Sequence, residues 1–464
     1  MPQGRGKKLA ALGLVIAITA VGPTTFRSDA ESETPNGLLP IDVRLPSDST
    51  GIPGGTLVVR VYSPRPGRER YPGGAPILIW VPGGADVGRL PHGLPPDTDD
   101  IVCITFLFPG GEDPRSGLAS DGTFDYRGPS SIAALRDVVR YAGGGLHDAD
   151  GRGLADVTPA TVVPGNIGLV GESNGGNIIA AVSALHGAEL AGMLRYLIAW
   201  ESPVSSQIAT RDFGRVWLKP SPQQGDYCNP RYGGYDRFIL PSIYDDLVYD
   251  PASEPYPLFH DGNGDGKYTT VARADGILVP DLNGDGRLDS AEDFPLDAYP
   301  VDGERVAYSR PVTEALQGME PFATDWPEHI ASPAEAAGYW DLRESVRLAG
   351  AAAAAIPGLE VMILCGARDH VQSLPDKPHI RQAFDSWRHA GVWVRINPTR
   401  DALYAVDPSL RGRPLPELRD GAPPGDWARH TTYAMPPDLP KAIYELAAIY
   451  QMADRVEQAR TESQ

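Results

Sequence analysis

The sequence predicts an α/β fold, a doubly wound and mostly parallel sheet with a cap region inserted before its last strands. Apolar runs without alternation recur along the chain, as strands covered on both faces require. Stretches of helical periodicity separate them, which makes the connections crossovers and the strands parallel. At Gly171-Glu172-Ser173-Asn174-Gly175-Gly176 one such strand turns sharply into a helix.

Residues 1–30 stand apart from the fold. Arg5, Lys7 and Lys8 precede the apolar run Leu9 to Gly22, the pattern of an export signal and too short for a comfortable transmembrane helix. Ser28-Asp29-Ala30 offers a cleavage site somewhat far downstream, so a removed signal and a retained anchor both stay open. Either way the chain is expected outside the cytoplasm, secreted or at the cell surface.

The first part of the core is expected over residues 31–201. Thr56 to Tyr62 alternates as a strand, and Pro76 to Val81 and Ile101 to Phe106 read as buried strands. Ser130 to Tyr141 carries Ile132, Leu135, Val138 and Val139 at helical spacing, with Ser130 or Ser131 as N-cap. Ile167 to Val170 is the strand before Ser173, Asn177 to Val182 begins the helix after it, and Tyr196 to Trp200 is the next strand. Residues 202–356 form the expected insertion. The core resumes over residues 357–464, with strands at Glu360 to Cys365 and Val392 to Ile396 and a closing helix from Leu439 to Val456.

Gly-x-Ser-x-Gly between a strand and a helix has a mechanical meaning. The turn is so tight that side chains two before and two after the serine would collide, so glycine stands there. The serine hydroxyl is lifted above the sheet edge, and the N–H of Asn174 can help bind an oxyanion. With that motif on this strand order, the chain resembles the α/β-hydrolase family over most of residues 50–200 and 340–458. The resemblance implies a Ser, acid, His triad in that chain order. Ser173 is then the nucleophile. Asp369, in Gly366-Ala367-Arg368-Asp369-His370-Val371, matches the family's acid turn, with Glu201 a weaker rival at the end of the sixth strand. His430, ahead of Pro436-Pro437 and the last helix, matches the base, although its loop is longer than the family's usual one. His370, His379 and His389 are expected to be turn or helix-surface residues. The second oxyanion donor is expected from Val81-Pro82-Gly83-Gly84-Ala85, at Gly84, with proline where the family often has histidine.

Within the insertion, Asp281-Leu282-Asn283-Gly284-Asp285-Gly286-Arg287-Leu288-Asp289-Ser290-Ala291-Glu292 matches a twelve-residue calcium loop at its liganding positions. Asp281, Asn283, Asp285 and Asp289 supply oxygens, Arg287 its carbonyl, and Glu292 the closing carboxylate. Asp261, Asn263 and Asp265 begin a second loop, whose twelfth position is Ala272. Both resemble EF-hand or dockerin loops without evident flanking helices. His147 to Asp156 is a weaker third candidate. A structural Ca²⁺ is expected in the cap and no cofactor in the catalysis.

Composition bounds the remaining possibilities. The chain has 464 residues, 42% of them hydrophobic, and a formal net charge of −19. That charge argues against nucleic acid and against anionic membrane surfaces as partners. Asp245 to Glu304 carries fifteen acidic residues against three basic ones, so the imbalance is concentrated in the insertion. Three cysteines do not make a disulfide scaffold, and Cys103 and Cys365 sit in strand-like runs as core residues. These features imply an exported serine hydrolase acting on a small ester or a peptide, with ester cleavage as the first expectation. A serine peptidase of prolyl-oligopeptidase type is the second. A non-catalytic, calcium-dependent surface or binding protein on the same scaffold is the rival from another class.

Overall fold

The computed structural model describes residues 40–204 and 341–462, apart from 85, 92–97, 126, 370 and 372–376, together with short segments between 216 and 330. Eight strands build the main sheet: β1 (Ile41–Pro46), β2 (Thr56–Tyr62), β3 (Ala75–Val81), β4 (Val102–Phe106), β5 (Val162–Glu172), β6 (Leu194–Trp200), β7 (Glu360–Leu364) and β8 (Trp393–Ile396). Their order is β1-β2-β4-β3-β5-β6-β7-β8. β2 runs antiparallel to both β1 and β4, and every other pairing is parallel. This is the sheet of an α/β-hydrolase fold. β5, which carries the glycine-serine turn, lies centrally between β3 and β6.

Strand periodicity divides the apolar side chains between two faces. Ile77, Ile79, Ile167, Leu169, Val361 and Ile363 point into one core. Helices α1 (Pro129–Ala142), α2 (Gly175–Leu185), α3 (Ser345–Ala355) and α4 (Pro378–His389) cover it. The alternate residues Leu78, Val170, Ile198, Met362 and Leu364 point into the second core. There α5 (Arg400–Val406) contributes Leu403, and α6 (Lys441–Glu462) contributes Tyr444, Ile449 and Met452. Cys103 and Cys365 are buried and free, as their strand positions predict.

Three local expectations need correction. β1 precedes the first strand read from the sequence; its alternation of Ile41, Val43 and Leu45 with Asp42 and Arg44 is legible once its partner β2 is known. α1 is not capped by Ser130 or Ser131. Its N-cap is Gly128, and the Asp125 carboxylate takes the N–H groups of Gly128, Ser130 and Ser131 and the Ser131 hydroxyl. The second part of the core begins before residue 357, because Ala349 and Ala352 of α3 are fully buried in the first core.

α6 is bound to distant parts of the chain by charge as well as packing. Asp454 accepts two of the three guanidinium bonds of Arg70 at 2.8 Å, Asp100 taking the third, and Arg455 holds Glu360 at the start of β7. Asn166, fully buried on β5, donates to the carbonyl of Ala453. Among the described residues no helix is long and apolar enough to cross a membrane.

Candidate active site

β5 ends at Glu172 and α2 begins at Gly175, so Ser173 and Asn174 make the whole turn. A Cβ on Gly171 would lie 2.5 Å from the Gly175 carbonyl oxygen, and one on Gly175 would lie 2.4 Å from that of Val81. Neither position can carry a side chain. Ser173 takes a left-handed backbone, φ 48°, which costs an L-residue about 1–2 kcal/mol. Bonds on both sides hold it there, from Ser173 N to the Trp200 carbonyl at 2.8 Å and from Gly176 N to the Ser173 carbonyl at 2.9 Å.

The loop after β3 presses on this turn. A Cβ on Gly83 would meet the Ser173 Cβ at 2.7 Å, and Gly84 has φ 59°. The Asn174 amide donates to the Gly84 carbonyl at 3.2 Å and accepts from Asn177 at 3.0 Å, tying the turn to the loop. The backbone N–H groups of Asn174, Gly83 and Gly84 donate to no other described residue. Arg127 closes the loop from outside, donating to the carbonyls of Pro82 at 2.9 Å and Asp86 at 2.8 Å. Nothing in the local sequence marks Arg127, since both its partners lie some forty residues earlier.

Asp369 sits in the turn after β7, 1% exposed. Its Oδ1 accepts from Val371 N and its Oδ2 bonds Nε2 of His379, each at 2.8 Å. His379 is therefore no helix-surface residue. It lies in the first turn of α4 with a wholly buried ring, engaged by the acid expected to serve His430. The rival acid Glu201 is also engaged, its Oε2 accepting from Lys441 at 2.7 Å, on a left-handed backbone of φ 43°.

His430 opens a short 3-10 turn and is half-buried. Its ring makes no hydrogen bond to another described residue. Burial first, and then the positive charge of Lys377, hold it below the ordinary histidine value of 6.5. Its loop is fastened beside the acid turn: Met435 N bonds the Cys365 carbonyl and Ala367 N the Met435 carbonyl, at 2.9 and 2.8 Å. Asn397, just after β8 and 2% exposed, completes the junction. It accepts from Cys365 N at 2.9 Å and donates to the carbonyls of Cys365 at 3.0 Å and Tyr433 at 2.7 Å. The structure thus brings Ser173, Asn174 and Gly84 together and fastens the Asp369 turn to the His430 loop. It places His379 rather than His430 on Asp369. Asn397 was missed. The strand-ending Asn397-Pro398 pair signals a turn, but its distant partners leave no local trace.

The expected calcium ligands Asp281, Asn283, Asp285, Arg287, Asp289, Glu292, Asn263 and Asp265 lie outside the described residues. Asp261 closes the short strand Leu258–Asp261. The third loop is described, and it carries its own cation. Asp148 Oδ1 accepts the N–H groups of Asp150 and Arg152 at 2.9 and 2.8 Å. The Arg152 guanidinium then reaches Asp148 at 2.8 Å and Asp150 at 2.9 Å. Arginine stands where the fifth loop position would supply a metal ligand, so this is an arginine-closed turn and no calcium site.

Among solved structures, the chain is similar to a thermostable carboxylesterase cloned from a metagenomic library, at 18% identity over 38% of this chain and 50% of that one, TM-score 0.25. It is also similar to a prolyl endopeptidase, at 16% identity over 38% of this chain and 22% of that one, TM-score 0.25. An esterase of Rhizomucor miehei aligns at 14% identity over 90% and 84% of the two chains, TM-score 0.36. The match spans about half the length of the metagenomic esterase. No family model and no curated protein matches the chain.

The Asn397 junction gives a stability test. Asn397→Ala strips three buried bonds and puts a Cβ-bearing residue without a local partner at φ 58°; the expected loss is on the order of 3 kcal/mol. Asn397→Gly loses the same bonds but tolerates the backbone, and should be about 1 kcal/mol less destabilised. Urea denaturation of the two variants measures both, and equal midpoints with the unaltered protein would show that the junction holds nothing.

Proposed function

We propose that the chain is an exported serine hydrolase that cleaves a carboxylic ester through an acyl-enzyme. One observation carries this reading. Ser173 is held on a strained left-handed turn between a strand and a helix, with Gly83 against its Cβ, and the N–H groups of Asn174, Gly83 and Gly84 donate to no other described residue. Such strain persists where the surroundings over-determine it, and a nucleophile elbow is the known use of this shape.

In this reading the Ser173 hydroxyl attacks the acyl carbon while His430 takes its proton, and the N–H groups of Asn174 and Gly84 receive the oxyanion. The C–O bond to the alcohol breaks, and His430 returns the proton to the leaving oxygen. Water then attacks the acyl-enzyme by the same route and releases the acid. Asp369 stabilises the imidazolium. Its two oxygens are anchored by Val371 and His379, which fixes the carboxylate for that role. Burial supports His430 over His379 as base: the His379 ring is fully enclosed and committed to Asp369, whereas His430 is half-open with neither nitrogen engaged by a described residue. The substrate is a small-molecule ester, and a peptide bond at the same centre is the second outcome to test. The export signal and a structural calcium ion in the insertion belong to the same proposal, on sequence grounds.

Fluorophosphonate labelling at Ser173 separates a hydrolase from a non-catalytic binding protein, and paired ester and peptide panels separate the two hydrolases. Ser173→Ala and His430→Ala should each lower kcat by about 10³ or more, and the double variant should lose little further. Additive losses would remove His430 as base. Asp369→Asn should keep the fold and cripple turnover; near-normal activity would shift the acid to Glu201.

The base must be neutral to act, and His430 is held below the ordinary histidine value. The acid limb of kcat/KM should therefore rise through a pKa under 6.5 and be flat by neutral pH. Lys377→Met removes the repelling charge, so the limb should move to higher pH. A limb above the ordinary histidine value would contradict this assignment.

Calcium is proposed to hold the cap. Two carboxylates about 4 Å apart repel by about 4 kcal/mol at an effective dielectric of 20, and coordination turns that repulsion into binding. Chelator should lower Tm and expose residues 202–340 to protease, and Asp285→Ala with Glu292→Ala should do the same. Unchanged melting and proteolysis, with no calcium heat in calorimetry, would leave a solvated acidic surface.

A further inference from the structure

Four residues other than glycine have a left-handed backbone among the described residues: Arg127, Ser173, Glu201 and Asn397. Three of them stand at the elbow, at the end of the neighbouring strand and at the junction of the acid and histidine loops. The fourth, Arg127, also touches the site, through the loop that lies on Ser173. We propose that Arg127 is a positioning residue for catalysis, aiming the oxyanion loop by its grip on the Pro82 and Asp86 carbonyls. This rests on the hydrolase reading and deepens it.

Peptide geometry carries the inference. In a trans peptide the C=O and the following N–H point in opposite directions. Arg127 Nη2 takes the Pro82 carbonyl at 2.9 Å, so the N–H of Gly83 in that same peptide points away from the guanidinium. Gly83 is the residue whose absent Cβ leaves room for Ser173. The second bond, to the Asp86 carbonyl, closes the loop at its other end, so Gly83 and Gly84 are suspended between two fixed points. The Gly84 N–H, the assigned donor, lies one peptide beyond this fixed one, so its direction is set through the peptide that Arg127 holds.

The charge itself needs an explanation that two carbonyl bonds do not give. Arg127 is 2% exposed and lies over the Phe108 ring at 4.3 Å. It forms no ion pair with a described residue, and its Nε and Nη1 are buried without hydrogen-bond partners. The neighbouring carboxylates have other work: Asp125 caps α1, and Asp86 holds Arg89 and the N–H of Gly88. Burial lowers Arg127 to about 10, so it remains a cation at neutral pH. A buried guanidinium without a direct ion pair to a described residue, attracted only at longer range by Asp86 and Asp125, is costly in the resting protein. It becomes favourable when an anion forms on the far side of the loop, which is what the tetrahedral intermediate supplies.

The test uses the full chain with p-nitrophenyl acetate as substrate and a boronic acid as transition-state mimic. Arg127→Met, which keeps much of the volume, should fold with an unchanged circular dichroism spectrum. Its kcat should fall by about 10²-fold with KM within about threefold, and boronate affinity should fall in parallel with kcat. Added methylguanidinium should restore part of kcat, and Arg127→Lys should keep more activity than Arg127→Met. A kcat within threefold of the unaltered enzyme, or a loss that neither methylguanidinium nor lysine relieves, overturns the proposal. If Arg127→Met fails to fold, Arg127→Lys decides alone: a kcat loss at constant KM and Tm supports positioning, and a fall in Tm without a kcat loss refutes it. An unaltered chain that neither turns over esters nor labels at Ser173 sinks the hydrolase reading and this inference with it. An active one beside an equally active Arg127→Met sinks only this inference.

Discussion

The site depends on there being no room for a side chain where β5 turns into α2. Backbone atoms of Gly175, Val81 and Glu172 occupy the places where Cβ atoms of Gly171, Gly175 and Gly83 would stand. Two segments from different parts of the chain, the elbow and the loop after β3, therefore meet backbone to backbone. That contact forces Ser173 into a left-handed conformation, and it brings the glycine loop against the serine. The central position of β5 follows the same logic: a turn this strained needs a paired strand on each side, and β3 and β6 supply them.

The sheet was largely legible because its information is local. Runs such as Pro76 to Val81 and Glu360 to Cys365 declare buried strands by composition, and the elbow declares itself by glycine spacing. The edge strand β1 was passed over, since a short half-exposed strand announces itself only against its partner. The site was legible as positions and less so as pairings. Asp125, Arg127 and Asn397 each act across a gap in sequence, on groups of backbone that any residue type presents. Sequence patterns encode side-chain chemistry, and these contacts are made to carbonyls and amides. His379 is the sharpest instance. At the start of a helix it has the pattern of a surface residue, and only the approach of the β7 turn makes it the partner of Asp369.

Charge is handled differently in the parts of the molecule that are described and in the insertion. In the core several acidic groups that leave solvent meet a cation or a set of N–H groups: Glu201 meets Lys441, Asp148 meets Arg152, and Asp125 meets a helix terminus. The loop at Asp148 is closed by the Arg152 guanidinium, which pairs with Asp148 and Asp150. That contrast bears on the acidic insertion, where fifteen carboxylates have three basic neighbours in sequence. By sequence count alone, the basic residues within that stretch are too few to pair with each carboxylate as Arg152 does with Asp148.

The grip of α6 on the sheet sets an order of events. Arg70 and Asp454 are 384 residues apart, and Asn166 and Ala453 are 287 apart. One face of β5, β6 and β7 has its apolar residues closed off chiefly by this helix, so the face stays bare until residues 441–462 have been synthesised. Loop closure over such spans is slow, and partly finished sheets are prone to aggregate. Until then the sheet lacks one of its two apolar layers, so the arrival of α6 is the step that completes the fold.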